Sequence, residues 1–171
     1  MRVTTLLVAL FVWLPGLAAA DKSAEQSPEL KVLAQGAGTW NIAVVYKPGA
    51  SSAEGDHFTE TRAVEWIFDG KFVLETIHSD KHETRTLYGY DKAKKVYRKW
   101  SFDNKGATSE WSGTWDAENK SMTWKPSDGT LHTVVTDRFV SGDERQVTIV
   151  IRDKHGELLM DLESEHRRVK K

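Results

Sequence analysis

Lys99–Trp115, KWSFDNKGATSEWSGTW, decides the fold. Trp100 and Phe102 alternate with Lys99, Ser101 and Asp103. Trp111, Gly113 and Trp115 alternate with Glu110, Ser112, Thr114 and Asp116. Alternation with a period of two gives a strand one dry face and one wet face. Asp103-Asn104-Lys105-Gly106 is turn chemistry, so the two strands form a hairpin. Three tryptophans on one side of it are more than a two-stranded ribbon buries, and further strands must cover them.

The same pattern continues in both directions. Upstream lie Thr39–Tyr46, His57–Phe68, Phe72–Ser79 and Thr84–Tyr90, with Asp69-Gly70 the strongest hairpin signal in the chain. Downstream lie Ser121–Trp124, Thr130–Arg138, Arg145–Arg152 and Leu158–Val169. About ten strands joined by short turns describe an up-and-down antiparallel meander. A long meander removes its free edges by closing into a barrel, and a single sandwich is the other architecture. The one helix expected precedes the strands. Ser27 caps it, Pro28 and Glu29 open it, Leu30, Leu33 and Ala34 form its apolar side, and Gly36 stops it.

Met1–Ala20 has the form of a secretory leader. Arg2 supplies the positive start, Leu6–Leu14 is uncharged and mostly apolar, and Ala18-Ala19-Ala20 is a small-residue cleavage site. The expected organisation is therefore a signal peptide over 1–20, a linker and short helix over 21–35, and a β-barrel domain over 36–171, secreted or periplasmic. No later apolar run has the ~20 residues a membrane helix needs. The chain has 171 residues, 39% of them hydrophobic, a net charge of −1 and no cysteine. That charge argues against nucleic-acid capture. The lack of cysteine excludes disulfides, thiolate metal sites and a Cys nucleophile.

The hairpin turns predict which residues face inward. Trp111, Gly113 and Trp115 are assigned to the interior, with Val96, Arg98, Trp100 and Phe102 facing them across the turn. Val64, Trp66 and Phe68 are assigned inward, which brings Glu60 and Arg62 to the same side. So are Val147, Ile149 and Ile151, and Leu158, Met160, Leu162, Ser164, His166 and Arg168. After Asp69-Gly70 two registers are open. One turns Phe72, Leu74, Thr76 and His78 inward; the other sets Lys71 opposite Phe68 and turns in the alternate residues. An aromatic interior with a few fixed polar groups is how a small-molecule pocket is built. The cavity candidates are Arg62, Trp66, His78, Arg98, Trp100, Trp111, Trp115 and His166. The expected ligand is small and apolar or amphipathic.

Other constellations carry less. His78-Ser79-Asp80-Lys81-His82-Glu83 is rich in metal-ligand types, but His-x-x-x-His converges only on a helix, and here it spans a strand end and a turn. No metal and no cofactor is expected. The basic runs Lys92–Lys99 and Arg167–Lys171 read as charged turn and tail. Two alternatives to ligand binding stand: a non-catalytic envelope or interaction domain with a packed interior, and a cyclase- or isomerase-like enzyme using the barrel mouth. The enzyme would need an interior carboxylate or histidine with a shifted pKa, for which Glu60 is the candidate.

Gly38-Thr39-Trp40, following a short helix, resembles the Gly-x-Trp of lipocalin and calycin barrels. That resemblance implies that Trp40 plugs a closed end and that an arginine of the last strand, Arg168 or in the other register Arg167, lies over its ring. More of the chain is similar to a bacterial, often secreted, domain-of-unknown-function family, number 1579. The matching residues, in order, are Gly38-Thr39-Trp40, Trp66–Phe72, Leu87–Asp91, Ser112–Asp116 and Asp137-Arg138-Phe139. This resemblance implies a calycin-like barrel and carries no activity with it.

Overall fold

In a computed structural model the described residues are 27–49, 54–79, 82–127, 129 and 131–170. The leader, most of the linker, and Asp80-Lys81 of the histidine-rich turn lie outside them. Helix α1 (Pro28–Ala34) is followed by ten strands. These are β1 (Gly38–Tyr46), β2 (Asp56–Ile67), β3 (Phe72–His78), β4 (Glu83–Asp91) and β5 (Val96–Asp103), then β6 (Thr108–Asp116), β7 (Ser121–Pro126), β8 (His132–Phe139), β9 (Glu144–Arg152) and β10 (Leu158–Arg168). Each strand pairs antiparallel with its sequence neighbours, and β1 pairs with β10, so the meander is a closed barrel without a free edge. No helix among the described residues is long and apolar enough to cross a membrane.

One end is plugged. Ser27 accepts from Leu30 N at 3.5 Å and Pro28 opens α1, which lays Leu30, Val32 and Leu33 over the barrel core. Trp40 lies beneath with no exposed surface, among Val64, Val73, Tyr97, Met122 and Trp124. Its Nε1 donates to Gly36 O at 2.9 Å, and the Arg168 guanidinium stands 4.2 Å from its ring centroid. Arg168 also donates to Gln35 O at 3.0 Å and to Ala37 O. Successive carbonyls left unpaired past the end of α1 thus find donors in the barrel.

The structure reverses part of the predicted inward set, and the cause is one residue. Phe102 pairs with Thr108, so the β5–β6 turn is Asp103–Ala107 rather than Asp103–Gly106. Asp103 Oδ1 accepts from Lys105 N at 2.9 Å and Ala107 N at 2.8 Å, and Gly106 takes φ +87°, where glycine is favoured. The extra residue flips β5 relative to β6. Lys99 now lies opposite Trp111 and Tyr97 opposite Gly113; both β5 residues face inward with Ser101. Val96, Arg98, Trp100 and Phe102 face outward. Phe102 is 51% exposed, and Arg98 pairs with Glu110 on the outer face.

At Asp69-Gly70 the register is the one that sets Lys71 opposite Phe68, although both residues are in the turn. Val73, Glu75 and Ile77 therefore share the face of Val64 and Arg62. His78 points outward, 3.8 Å from Glu83, and Phe68, at φ +50°, is exposed rather than inward. The β9–β10 connection repeats the five-residue turn, with Asp153 Oδ1 accepting from His155 N and Glu157 N at 2.8 Å. There a bulge between Leu158 and Met160 slips the register back, and Met160, Leu162, Ser164 and His166 stay inside.

Candidate functional site: the barrel cavity

Away from the plug the interior holds a cavity of about 420 Å³. This lies within the roughly 300–1,000 Å³ range of small-molecule sites. The β1, β9 and β10 side is apolar: Ile42, Val44, Ile149, Met160 and Leu162. The β4–β6 side is polar, with Thr86, Lys99, Ser101 and Ser109. Thr86 Oγ1 and Ser101 Oγ lie 2.9 Å apart, and Trp111 Nε1 donates to Ser109 Oγ at 2.8 Å. Tyr46 and Phe58 stack at 5.9 Å between ring centroids, at the end opposite α1.

Two buried ion pairs separate the cavity from the plug. Arg62 of β2 meets Glu75 of β3, and Arg145 of β9 meets Asp137 of β8, with Arg145 Nε donating to Asp137 Oδ1 at 3.0 Å. Tyr88 OH donates to the second Glu75 oxygen at 3.1 Å. Charges persist in an interior only when they are paired and hydrogen-bonded, and these four cancel two by two.

Arg62 also fixes a tautomer. Its Nη1 lies 3.0 Å from His166 Nδ1. A guanidinium has only donors, so Nδ1 accepts and the imidazole proton sits on Nε2. Nε2 therefore donates to Ser164 Oγ, 2.9 Å away. Burial, with Arg62 and Arg145 adding repulsion, holds His166 far below the ordinary histidine range, as a neutral ring requires. The chain Glu75–Arg62–His166–Ser164 runs in one direction and leaves the Ser164 hydroxyl with its own proton to donate. It also leaves His166 without a lone pair for Ser164, so the two are not arranged as nucleophile and base.

Lys99 is the charge the floor does not cancel. Its Nζ lies 4.4 Å from the Trp111 ring centroid and 5.1 Å from that of Trp124. It makes no hydrogen bond or ion pair with another described residue. Burial, reinforced by Arg62 and opposed by Glu75 and Asp137, pushes its ammonium down to about 8. Trp124 reaches this position because of Gly113. A Cβ on Gly113 would meet Trp124 Cζ3 at 2.5 Å, so the small residue between Trp111 and Trp115 makes room for an indole. Higher in the cavity, Glu60 Oε1 is buried without a hydrogen bond, 3.5 Å from His82 Nε2, and burial raises its pKa against the pull of His82 and Arg62.

Of the eight sequence candidates, the structure brings Arg62, Trp111 and His166 together around the cavity. Trp66 and Trp115 pack in the plug, Trp115 edge-on to Phe139 at 5.8 Å. His78, Arg98 and Trp100 lie outside the barrel. Lys99, Trp124, Glu75 and Tyr88 were not among the candidates. A five-residue count of the Asp103 turn is the signal for Lys99, and the even spacing of Met122 and Trp124 on β7 is the signal for Trp124.

No family model matches the chain, and no curated protein matches it. Solved structures do. A protein of unknown function from the DUF3598 family of Nostoc punctiforme superposes with a TM-score of 0.59 at 12% identity over 80% of this chain. This chain spans 48% of that protein's length. Rv2717c from Mycobacterium tuberculosis gives 0.61 at 13% identity, covering 85% of this chain and 100% of its own. The S-type phycobiliprotein lyase CpeS from Guillardia theta gives 0.56 at 13% identity, covering 92% of this chain and 99% of its own. At such identities the likeness is one of fold: a calycin-like barrel.

Proposed function

We propose that the protein is a binding protein that holds a small, partly apolar ligand inside its barrel. The observation that carries this reading is the cavity of about 420 Å³, apolar on the β1, β9 and β10 side and lined with fixed donors on the other. A packed envelope domain has no use for such a space, because an interior normally closes to crystal-like density. The Ser164–His166 tautomer supports binding rather than catalysis. Membership of family 1579 is part of the proposal and rests on the five ordered motifs. So is export: the leader over 1–20 places the ligand outside the cytoplasm, and the chain recovered from its host should begin at Asp21 by mass spectrometry.

The test uses 1-N-phenylnaphthylamine, a neutral apolar fluorophore. Titrated into the protein, it should brighten saturably and quench indole emission by energy transfer from Trp111 and Trp124, which line the cavity. The Trp111→Phe variant should bind it and show less quenching. Brightening that never saturates, together with unchanged indole emission, would overturn the reading.

A further inference from the structure

We infer that the ligand carries an anionic oxygen head group, a carboxylate, and enters head first, so that this group sits on Lys99 while its apolar body lies along Ile42, Val44, Ile149 and Leu162. This rests on the cavity being a binding site and says what the site selects.

Among the ionised groups at the floor, Arg62 is matched by Glu75 and Arg145 by Asp137. His166 is neutral by its hydrogen bonds. Lys99 remains, on the cavity wall, with two indole faces for neighbours and no anion in contact. Indole faces stabilise a cation without neutralising it. An ammonium held this way is incomplete: its N–H donors face a space that an acceptor would fill.

Direction of hydrogen bonding gives the same answer independently. The chain from Glu75 through Arg62 and His166 ends on Ser164, whose oxygen is already used as acceptor and whose proton is free. Ser164 and Lys99 both line the cavity, and both present donors. A cationic head group would meet the Lys99 ammonium as a like charge. A carboxylate on Lys99 meets a charged donor in a setting where such bonds are short and strong, and Ser164 offers a further donor on the facing wall. Apolar Ile42, Val44, Ile149 and Leu162 then take the body of the ligand, whose far end reaches Tyr46 and Phe58. Glu60, buried and lacking a hydrogen bond, stands on the wall beyond the head-group position and disfavours an anion stopping halfway.

The experiment displaces bound 1-N-phenylnaphthylamine with decanoate, decanol and decylamine. Decanoate should compete roughly 10- to 100-fold better than decanol, the span of one charge-assisted hydrogen bond, and decylamine should compete worst. Lys99→Met and Lys99→Gln should lose the preference for decanoate over decanol, each ratio being read against that variant's own affinity for the fluorophore. Both should melt no lower than the wild type, because a buried unpaired cation has been removed. Raising the pH from about 7 to about 10 should erase the preference in the wild type only, as Lys99 loses its proton around 8 while decanoate stays ionised. Glu75 of β3, Arg62 of β2 and Asp137 of β8 act on the Lys99 charge, and Glu60 of β2, His82, Tyr88 of β4 and His166 of β10 line the same cavity; the flat response of the Lys99 variants separates their titration from that of Lys99. Equal competition by decanoate and decanol in the wild type, with the fluorophore bound, overturns this inference and leaves the binding reading intact. Failure of the fluorophore to bind overturns both.

Discussion

Arg62→Met should lower the unfolding free energy by about 3–5 kcal/mol, measured by urea denaturation. The loss does not come from the ion pair's own worth, since a buried pair often gains little over an apolar replacement. It comes from what is left behind. Glu75, 4% exposed, keeps only the Tyr88 hydroxyl, and His166 loses the donor that fixes its tautomer. The double variant Arg62→Met/Glu75→Leu should therefore recover most of the loss, although it removes more polar contacts than the single one. A single variant that costs less than about 1 kcal/mol would mean that water reaches the floor, because only a solvated Glu75 tolerates losing its partner. The recovery in the double variant is the sharper measurement, since general disruption of the barrel would make two substitutions worse than one.

That floor shows why the fold was easier to read than the site. Strand number and closure depend on alternation and turn spacing, which are local and repeated ten times, and they survive a slip at any one turn. The inward face of each strand depends on an exact count through each turn. At Asp103 a four-residue turn omits Ala107, which puts Arg98, Trp100 and Phe102 on the inner side and Lys99 on the outer, the reverse of the observed pairing. The pattern of β5 hides the slip, because the outward face, with Val96, Trp100 and Phe102, is more apolar than the inward Tyr97, Lys99 and Ser101. At Asp153 the same turn chemistry would have produced the same error, but the bulge at Leu158–Met160 compensates, so His166 and Ser164 were placed inward. The ion pairs were a different matter. Glu75 and Asp137 look like ordinary strand carboxylates until the barrel closes and sets Arg62 and Arg145 beside them, and that is information about strands distant in sequence.

The largest effect at the other end of the barrel should come from Trp40→Ala, at about 3–5 kcal/mol for emptying a fully buried indole site. The indole does three things at once: it fills the plug, donates to Gly36 O, and gives Arg168 a face to lie on. Arg168 in turn donates to Gln35 O, Ala37 O and Gly142 O, so it binds the end of α1 to the loop before β9. Arg145 shares the Trp40 ring from the floor side, 5.4 Å from its centroid, and is held there by Asp137. Residues that share partners in this way are not independent. The costs of Trp40→Ala and Arg168→Ala should therefore sum to more than the cost of the double variant, with a coupling of about 1 kcal/mol or more. Additivity would mean that Arg168 holds α1 without help from the ring. Trp40 lies beyond the ion-pair floor and does not line the cavity. Where Trp40→Ala remains folded, it should thus bind 1-N-phenylnaphthylamine within about two-fold of the wild type, a difference well under 1 kcal/mol. Loss of binding in a folded Trp40→Ala protein would show that the two ion pairs do not insulate the cavity from the plug, and that the barrel interior responds as one unit from α1 to Tyr46.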